Sequence, residues 1–177
     1  MAGFTLLELL VVVFMVGVIA AIAAPTWEKL VARQRVTTAR EQMVQALRDA
    51  QSKARRTRIP QVVYIDPAPG DRPRIATAAA NREPVNFADV TGWQNIGQEN
   101  IPQGSLQVAL RREGAEVTDV NERRVIFDAN GAVDRRTKVL PLAIVFKGSV
   151  SGPGEARCVV IETRLGSLRT AEGNDCP

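Results

Sequence analysis

The first quarter of the chain constrains it most. From Phe4 to Ala24 every residue is apolar except Thr5 and Glu8, a run of 21 residues followed directly by Pro25. As a helix rising about 1.5 Å per residue, such a run spans roughly 30 Å, the thickness of one bilayer core. An ordinary secretory signal would place a basic segment before a short apolar stretch and a small-x-small site after it. Here only Met1-Ala2-Gly3 precede the run, and the Ala-rich end at Ala24 is blocked as a signal-peptidase site by Pro25. A carboxylate within lipid costs several kcal/mol unless it is paired, so Glu8 asks for a partner.

Beyond Pro25 the chain reads as a soluble protein, and its composition removes whole classes of chemistry. Histidine is absent, which takes away the commonest general base and metal ligand. There is no Walker loop and no G-x-G-x-x-G, and carboxylates such as Asp119 and Glu122 read as loop charges. No catalytic residue, metal or cofactor is expected. The net charge of +4 comes from arginine pairs at Arg55-Arg56, Arg111-Arg112, Arg123-Arg124 and Arg135-Arg136. An excess this small describes a solvated surface before it describes a polyanion partner.

Two cysteines, Cys158 and Cys176, have 17 residues between them. They cannot form a structural zinc site alone, and the spacing is unlike C-x-x-C. In an oxidising compartment they would form a disulfide, contributing about 3 kcal/mol in the chain-entropy picture. In a reducing one they would be two separate thiols. The fate of the N-terminus decides.

After Pro25, which should kink the helix without ending it, Val36, Ala39, Met43, Leu47, Ala50 and Ala54 recur at three- and four-residue steps. Arg40, Gln45, Arg48 and Lys53 fall off that stripe. The spacing predicts an amphipathic helix to about Arg58, with a small-sided apolar face suited to close packing on a sheet. Lys53, Arg55, Arg56 and Arg58 complement its C-terminal dipole, and Ile59-Pro60 marks the break. Strand patterns follow at Gln61–Asp66, Arg74–Ala78, Leu106–Arg111, Arg124–Phe127, Leu142–Phe146 and Cys158–Glu162, completing an antiparallel sheet. Asp128-Ala129-Asn130-Gly131 reads as a turn, and Asn81 to Gln103 mostly as loop.

Gly3-Phe4-Thr5-Leu6-Leu7-Glu8-Leu9-Leu10 resembles the cleavage and methylation motif of type IV pilins and type II secretion pseudopilins. The resemblance implies cleavage by a prepilin peptidase between Gly3 and Phe4, then N-methylation of the Phe4 amine. It implies an ion pair between Glu8 of one subunit and the Phe4 ammonium of the preceding one. The leader carries no Lys or Arg, so orientation rests on this motif and not on flanking charge. Farther on, Phe127 to Gly131 and Cys158 to Arg169 resemble the GspH/FimT branch of minor pilins. In that branch a Phe-x-x-x-Gly turn precedes a strand ending in Gly-Arg-x-Arg, a stretch that supplies phosphate contacts in the DNA-binding FimT. Here it reads Gly166-Ser167-Leu168-Arg169, leaving Arg169, with Arg164 nearby, as candidate DNA contacts.

The expectation is therefore an α+β pilin: leader 1–3, transmembrane and filament-core helix 4–24, amphipathic continuation 25–58, and a β-rich head 59–177 with a C-terminal disulfide loop. The resemblance implies a single-pass inner-membrane protein with a periplasmic head, later part of an extracellular pilus or a periplasmic pseudopilus. Its implied partners are other pilins, the prepilin peptidase and the inner-membrane assembly platform. The role expected first is a FimU-like subunit of the pilus initiation or tip complex. A FimT-like DNA receptor and a GspH-like pseudopilin are the alternatives; DNA is not the favoured partner.

Overall fold

The structure, a computed structural model, describes residues 5–68, 71–80, 86–97, 101–137, 140–149 and 155–176, leaving aside the side chains of 22–26. One helix, α1 (Leu6–Thr57), takes up 52 residues. Thr5 caps it, its Oγ1 accepting the Glu8 N–H at 3.3 Å. The Thr-x-x-Glu spacing suits a helix start, since the hydroxyl satisfies an orphan donor and the acid faces the positive end of the dipole. Position 25 is helical, so the proline does not end α1; its side chain, and with it the expected kink, lies outside the description.

The two halves of α1 meet different surroundings. Leu6, Phe14 and Ile19 are more than half exposed, as are Trp27 and most apolar residues of the first half. In the second half Val36, Ala39, Met43, Leu47, Ala50 and Ala54 are at most 1 % exposed. The three- and four-residue spacing puts these six on one face, and that face lies on the head. Arg58, with φ of 56°, ends the helix in the left-handed conformation, and Pro60 prevents its return.

The strands are β1 (Gln61–Asp66), β2 (Arg74–Ala79), β3 (Gln94–Asn95), β4 (Leu106–Arg112), β5 (Ala115–Glu116), β6 (Arg124–Phe127), β7 (Leu142–Gly148), β8 (Arg157–Ile161) and β9 (Leu168–Glu172). They form two antiparallel sheets instead of the single one expected, ordered β3-β2-β1-β6 and β5-β4-β7-β8-β9. Alternation explains how both serve one core. On β1, Val63 and Ile65 face the helix, as do Val125 and Phe127 on β6, Leu142, Ile144 and Phe146 on β7, and Val159 and Ile161 on β8.

The opposite faces are covered too, which is why β1 and β7 read as continuous apolar runs. Val62 and Tyr64 pack outward with Ala76, Val90 and Ile126, while Phe87 and Trp93 lie against them. Within the stretch 81–103, read as mostly loop, the described residues thus include a short 310 turn (Phe87–Asp89), the strand β3, and a lid of apolar side chains. Arg74 sits 5.2 Å from the Trp93 ring centroid, an arrangement that favours the cation over the ring face.

On the second sheet the outward residues Ala143, Val145, Cys158, Val160 and Ala171 cluster on one face, with Cys176 packed against them. Cys158 and Cys176 are disulfide-bonded, with Cα atoms 5.8 Å apart. β9 was not expected from its polar sequence; it pairs only with β8 and forms a sheet edge. Reduction should therefore loosen this tail before the core. Amide exchange in Leu168–Glu172 should accelerate at least about tenfold on reduction, with β7 unchanged. Uniform acceleration through both sheets would show that the bond holds the whole head.

Candidate assembly surface

The described part of the N-terminal half presents Leu6, Leu9, Leu10 and Val13 to its surroundings, all at least 60 % exposed, with Glu8 the one ionisable group among them. Such a continuous apolar surface is not left in water. Gly3 and Phe4, read as the cleavage and methylation positions and as half of the ion pair, lie outside the described residues. Among the described residues no helix is long and apolar enough to cross a membrane. The apolar run of the sequence continues into residues 22–24, whose side chains are not described.

Below the exposed half, charges tie α1 to the second sheet. Arg33 donates to Glu155 at 2.6 Å, at the β7–β8 connection. About two turns farther, Arg40 and Arg157 share the Glu172 carboxylate at 2.9 and 3.2 Å. In each pair one partner is open to solvent, Arg33 or Glu172, and the other is mostly covered, so each contributes on the order of 1 kcal/mol or less. Their value is in fixing the helix along the sheet.

At the other end of the helix two loops dock on one side chain. Gln51 Nε2 donates to Gly131 O at 2.8 Å and to Leu165 O at 3.2 Å. The turn 128–131 is closed by Asp128, whose Oδ1 accepts the N–H groups of Asn130 and Ala132. Gly131 has φ of 77° and Gly166 has 81°; a Cβ on Gly131 would fall 2.5 Å from Arg55 Nε, and one on Gly166 2.3 Å from Gln51 Nε2. Only glycine meets both demands. The Phe-x-x-x-Gly segment and the Gly166 loop are thus seats for the helix end. Sequence reading missed Gln51, a polar residue between Ala50 and Ala54 with no periodic signal.

The candidate DNA contacts stand near this junction and are engaged within the chain. Arg164 donates through one terminal nitrogen to Asp134 O at 3.1 Å and Thr137 O at 2.8 Å. Arg169 Nε donates to Glu162 Oε1 at 2.6 Å. Neither guanidinium is held out as an uncommitted phosphate ligand.

Asp134 beside them has a distinct acidity. A side-chain hydrogen bond from Arg136 (2.8 Å between Nη2 and Oδ2) holds its carboxyl below the usual range. The Arg136 backbone N–H and the charges of Arg136 and Arg164 add to this, while partial burial opposes it. A carboxyl with a depressed folded-state pKa contributes stability above its unfolded value, near 3.9, and loses it as pH falls through the folded one. Asp134→Asn should therefore be less stable than wild type at pH 7, with the gap closing below about pH 4. A gap unchanged between pH 7 and pH 3 would assign the effect to shape alone. Among the described residues, no group of three or more His, Cys, Asp or Glu could hold a metal ion.

A long helix, exposed at its start and buried along one face at its end against antiparallel sheets, defines the α+β fold of a minor pilin. The chain is similar in structure to the type IV minor pilin FimU of Pseudomonas aeruginosa, with a TM-score of 0.51 at 16 % identity over 82 % of this chain and 94 % of FimU. Two further similar structures are the minor pseudopilin EpsH of Vibrio cholerae (TM-score 0.49, 14 % identity, 78 % and 97 % covered) and GspH of E. coli (0.46, 18 %, 81 % and 92 %). No protein-family profile and no curated protein matches the sequence.

Proposed function

We propose that this chain is a minor pilin, a non-enzymatic structural subunit of the initiation or tip complex of a type IV pilus. The observation that carries the proposal is the division of α1: an apolar, exposed first half with Glu8 in its first turn, and a second half committed to the head. An isolated soluble domain gains nothing from the first half; a subunit that sits in a membrane and then packs helix against helix requires it. In this reading prepilin peptidase cuts between Gly3 and Phe4, the Phe4 amine is methylated, and residues 4–24 anchor the chain in the inner membrane. Other pilins and the assembly platform are its partners there. The FimU-like fold supports the reading, and the tethered tail suits a head exposed outside the cell, where disulfides persist.

Intact-mass measurement of the protein extracted from its native membrane tests this. The expected species begins at Phe4 and carries one added methyl group. A mature chain beginning at Pro25 would mean signal-peptidase processing and a soluble product, and the proposal would fall.

A further inference from the structure

The outer face of the second sheet is closed over β7 and β8 and more open along β4, where Gln107 is exposed and Ala109 and Arg111 are half-buried. Ala171 of β9 extends this face beside Cys158, and Cys176 of the tail packs against it on the β8 side. Toward β4 and β5 the face opens into a groove of about 460 Å3 that reaches Pro67 and Ala68 at the end of β1. Ala109 and the nearly buried Val145 line its floor, and Arg111, Arg123 and Lys147 surround them, with Glu116 the one acid among the described lining residues. Val145 belongs to both parts: it packs in the cluster beside the tail and lines the groove.

Several arginines elsewhere are matched by acids, among them Arg33 with Glu155, Arg74 with Asp66, Arg112 with Glu122, Arg136 with Asp134, and Arg169 with Glu162. Arg111 neighbours the paired Arg112 on the same strand, yet among the described residues it forms no ion pair. Glu116 stands directly opposite it in the β4–β5 register without closing one. Arg111 Nε is shut away from solvent with no hydrogen-bond partner. Lys147 is exposed and has no acidic partner among the described residues. Arg123 is fixed in place by donating to Val117 O and Thr118 O.

We infer that this groove is a binding site for a short acidic, extended peptide segment of a partner protein. Its carboxylates meet Arg111 and Lys147, and its intervening apolar side chains lie on Ala109 and Val145. Guanidinium groups bind carboxylates strongly where water is partly excluded, and alternate side chains of an extended segment reach a charged rim and an apolar floor at once. A duplex fits less well, because its phosphates present no apolar complement to a concave, partly apolar floor. The inference does not depend on the filament role, since the groove belongs to the head alone.

The test uses the full chain in detergent and a fluorescein-labelled hexapeptide of alternating Val and Glu, read by anisotropy at about 0.1 M salt. The acidic peptide should bind at least about tenfold more tightly than its Val–Lys counterpart. The double variant Arg111→Gln, Lys147→Gln should lose at least about tenfold, and Gln107→Glu, which brings an acid to the groove, should weaken binding in the same direction. Arg135→Gln removes an exposed charge elsewhere and should leave binding unchanged. Equal binding of the two peptides, or equal losses in the Arg135 and groove variants, would overturn the inference. Displacement of the acidic peptide by a short duplex that itself binds more tightly, with the same variants losing the duplex, would assign the groove to nucleic acid and overturn it as well.

Discussion

Replacing Glu8 with Ala should leave the protein inserted and cleaved while its share in sheared filaments falls on the order of a hundredfold. The residue occupies the first turn of an exposed apolar helix, where its N–H donates to Thr5 and its carboxylate has no partner among the described residues. The side chain is therefore available to a neighbour. Once helices are packed together, the proposed companion is the Phe4 ammonium of the adjoining subunit. Removing one member of a buried ion pair leaves the other uncompensated at a cost of about 3–5 kcal/mol, far more than the intact pair contributes. Membrane insertion should not suffer, because Ala makes the helix more apolar. Immunoblots of membrane and sheared-filament fractions separate these outcomes; unchanged incorporation would show that the carboxylate has no part in subunit register.

The second large effect is expected in the helix–head interface. Leu47 is fully enclosed among side chains from both sheets. Leu47→Ala should cost about 2–5 kcal/mol through lost burial and the cavity left behind. For a protein of this size that lowers Tm by roughly 5–15 °C. Leu30→Ala, on the same helix but 48 % exposed, should stay within about 0.5 kcal/mol of wild type. Thermal melts followed by circular dichroism of the two variants in the same detergent decide the matter. Equal shifts would mean that the second half of α1 is not the seat of the head.

What could be read from the sequence was whatever repeated. Val36 to Ala54 declares its face because burial recurs with the helical period, and β1 and β7 stand out as unbroken runs of branched residues. The glycine turn after Phe127 was visible because few residues other than Gly and Asn accept positive φ. The division into two sheets was not visible, since both sheets present the same alternation to the same core. β9 was lost because Leu168-Arg169-Thr170-Ala171-Glu172 buries a single residue and owes its extended form to β8 and the tethered tail. The covering of the first sheet by Phe87, Val90 and Trp93 comes from isolated apolar residues with no period at all. At the candidate surface, Glu8 was conspicuous as one acid in an apolar run. Gln51 was not, because its importance comes from two carbonyls far away in sequence. Arg164 and Arg169 stood out by charge, but charge alone does not reveal whether a guanidinium is already satisfied.

The continuity of α1 has a mechanical consequence. Because one helix of about 80 Å serves both exposed segment and head, no hinge of flexible linker stands between them to take up extension. A tensile load applied along the axis reaches the head as shear, parallel to the face running from Val36 to Ala54. Shear loads all those side chains and the Arg33 and Arg40 bridges together, whereas peeling would break them one at a time. The head is thus gripped in the direction in which rupture demands that the whole interface fail at once.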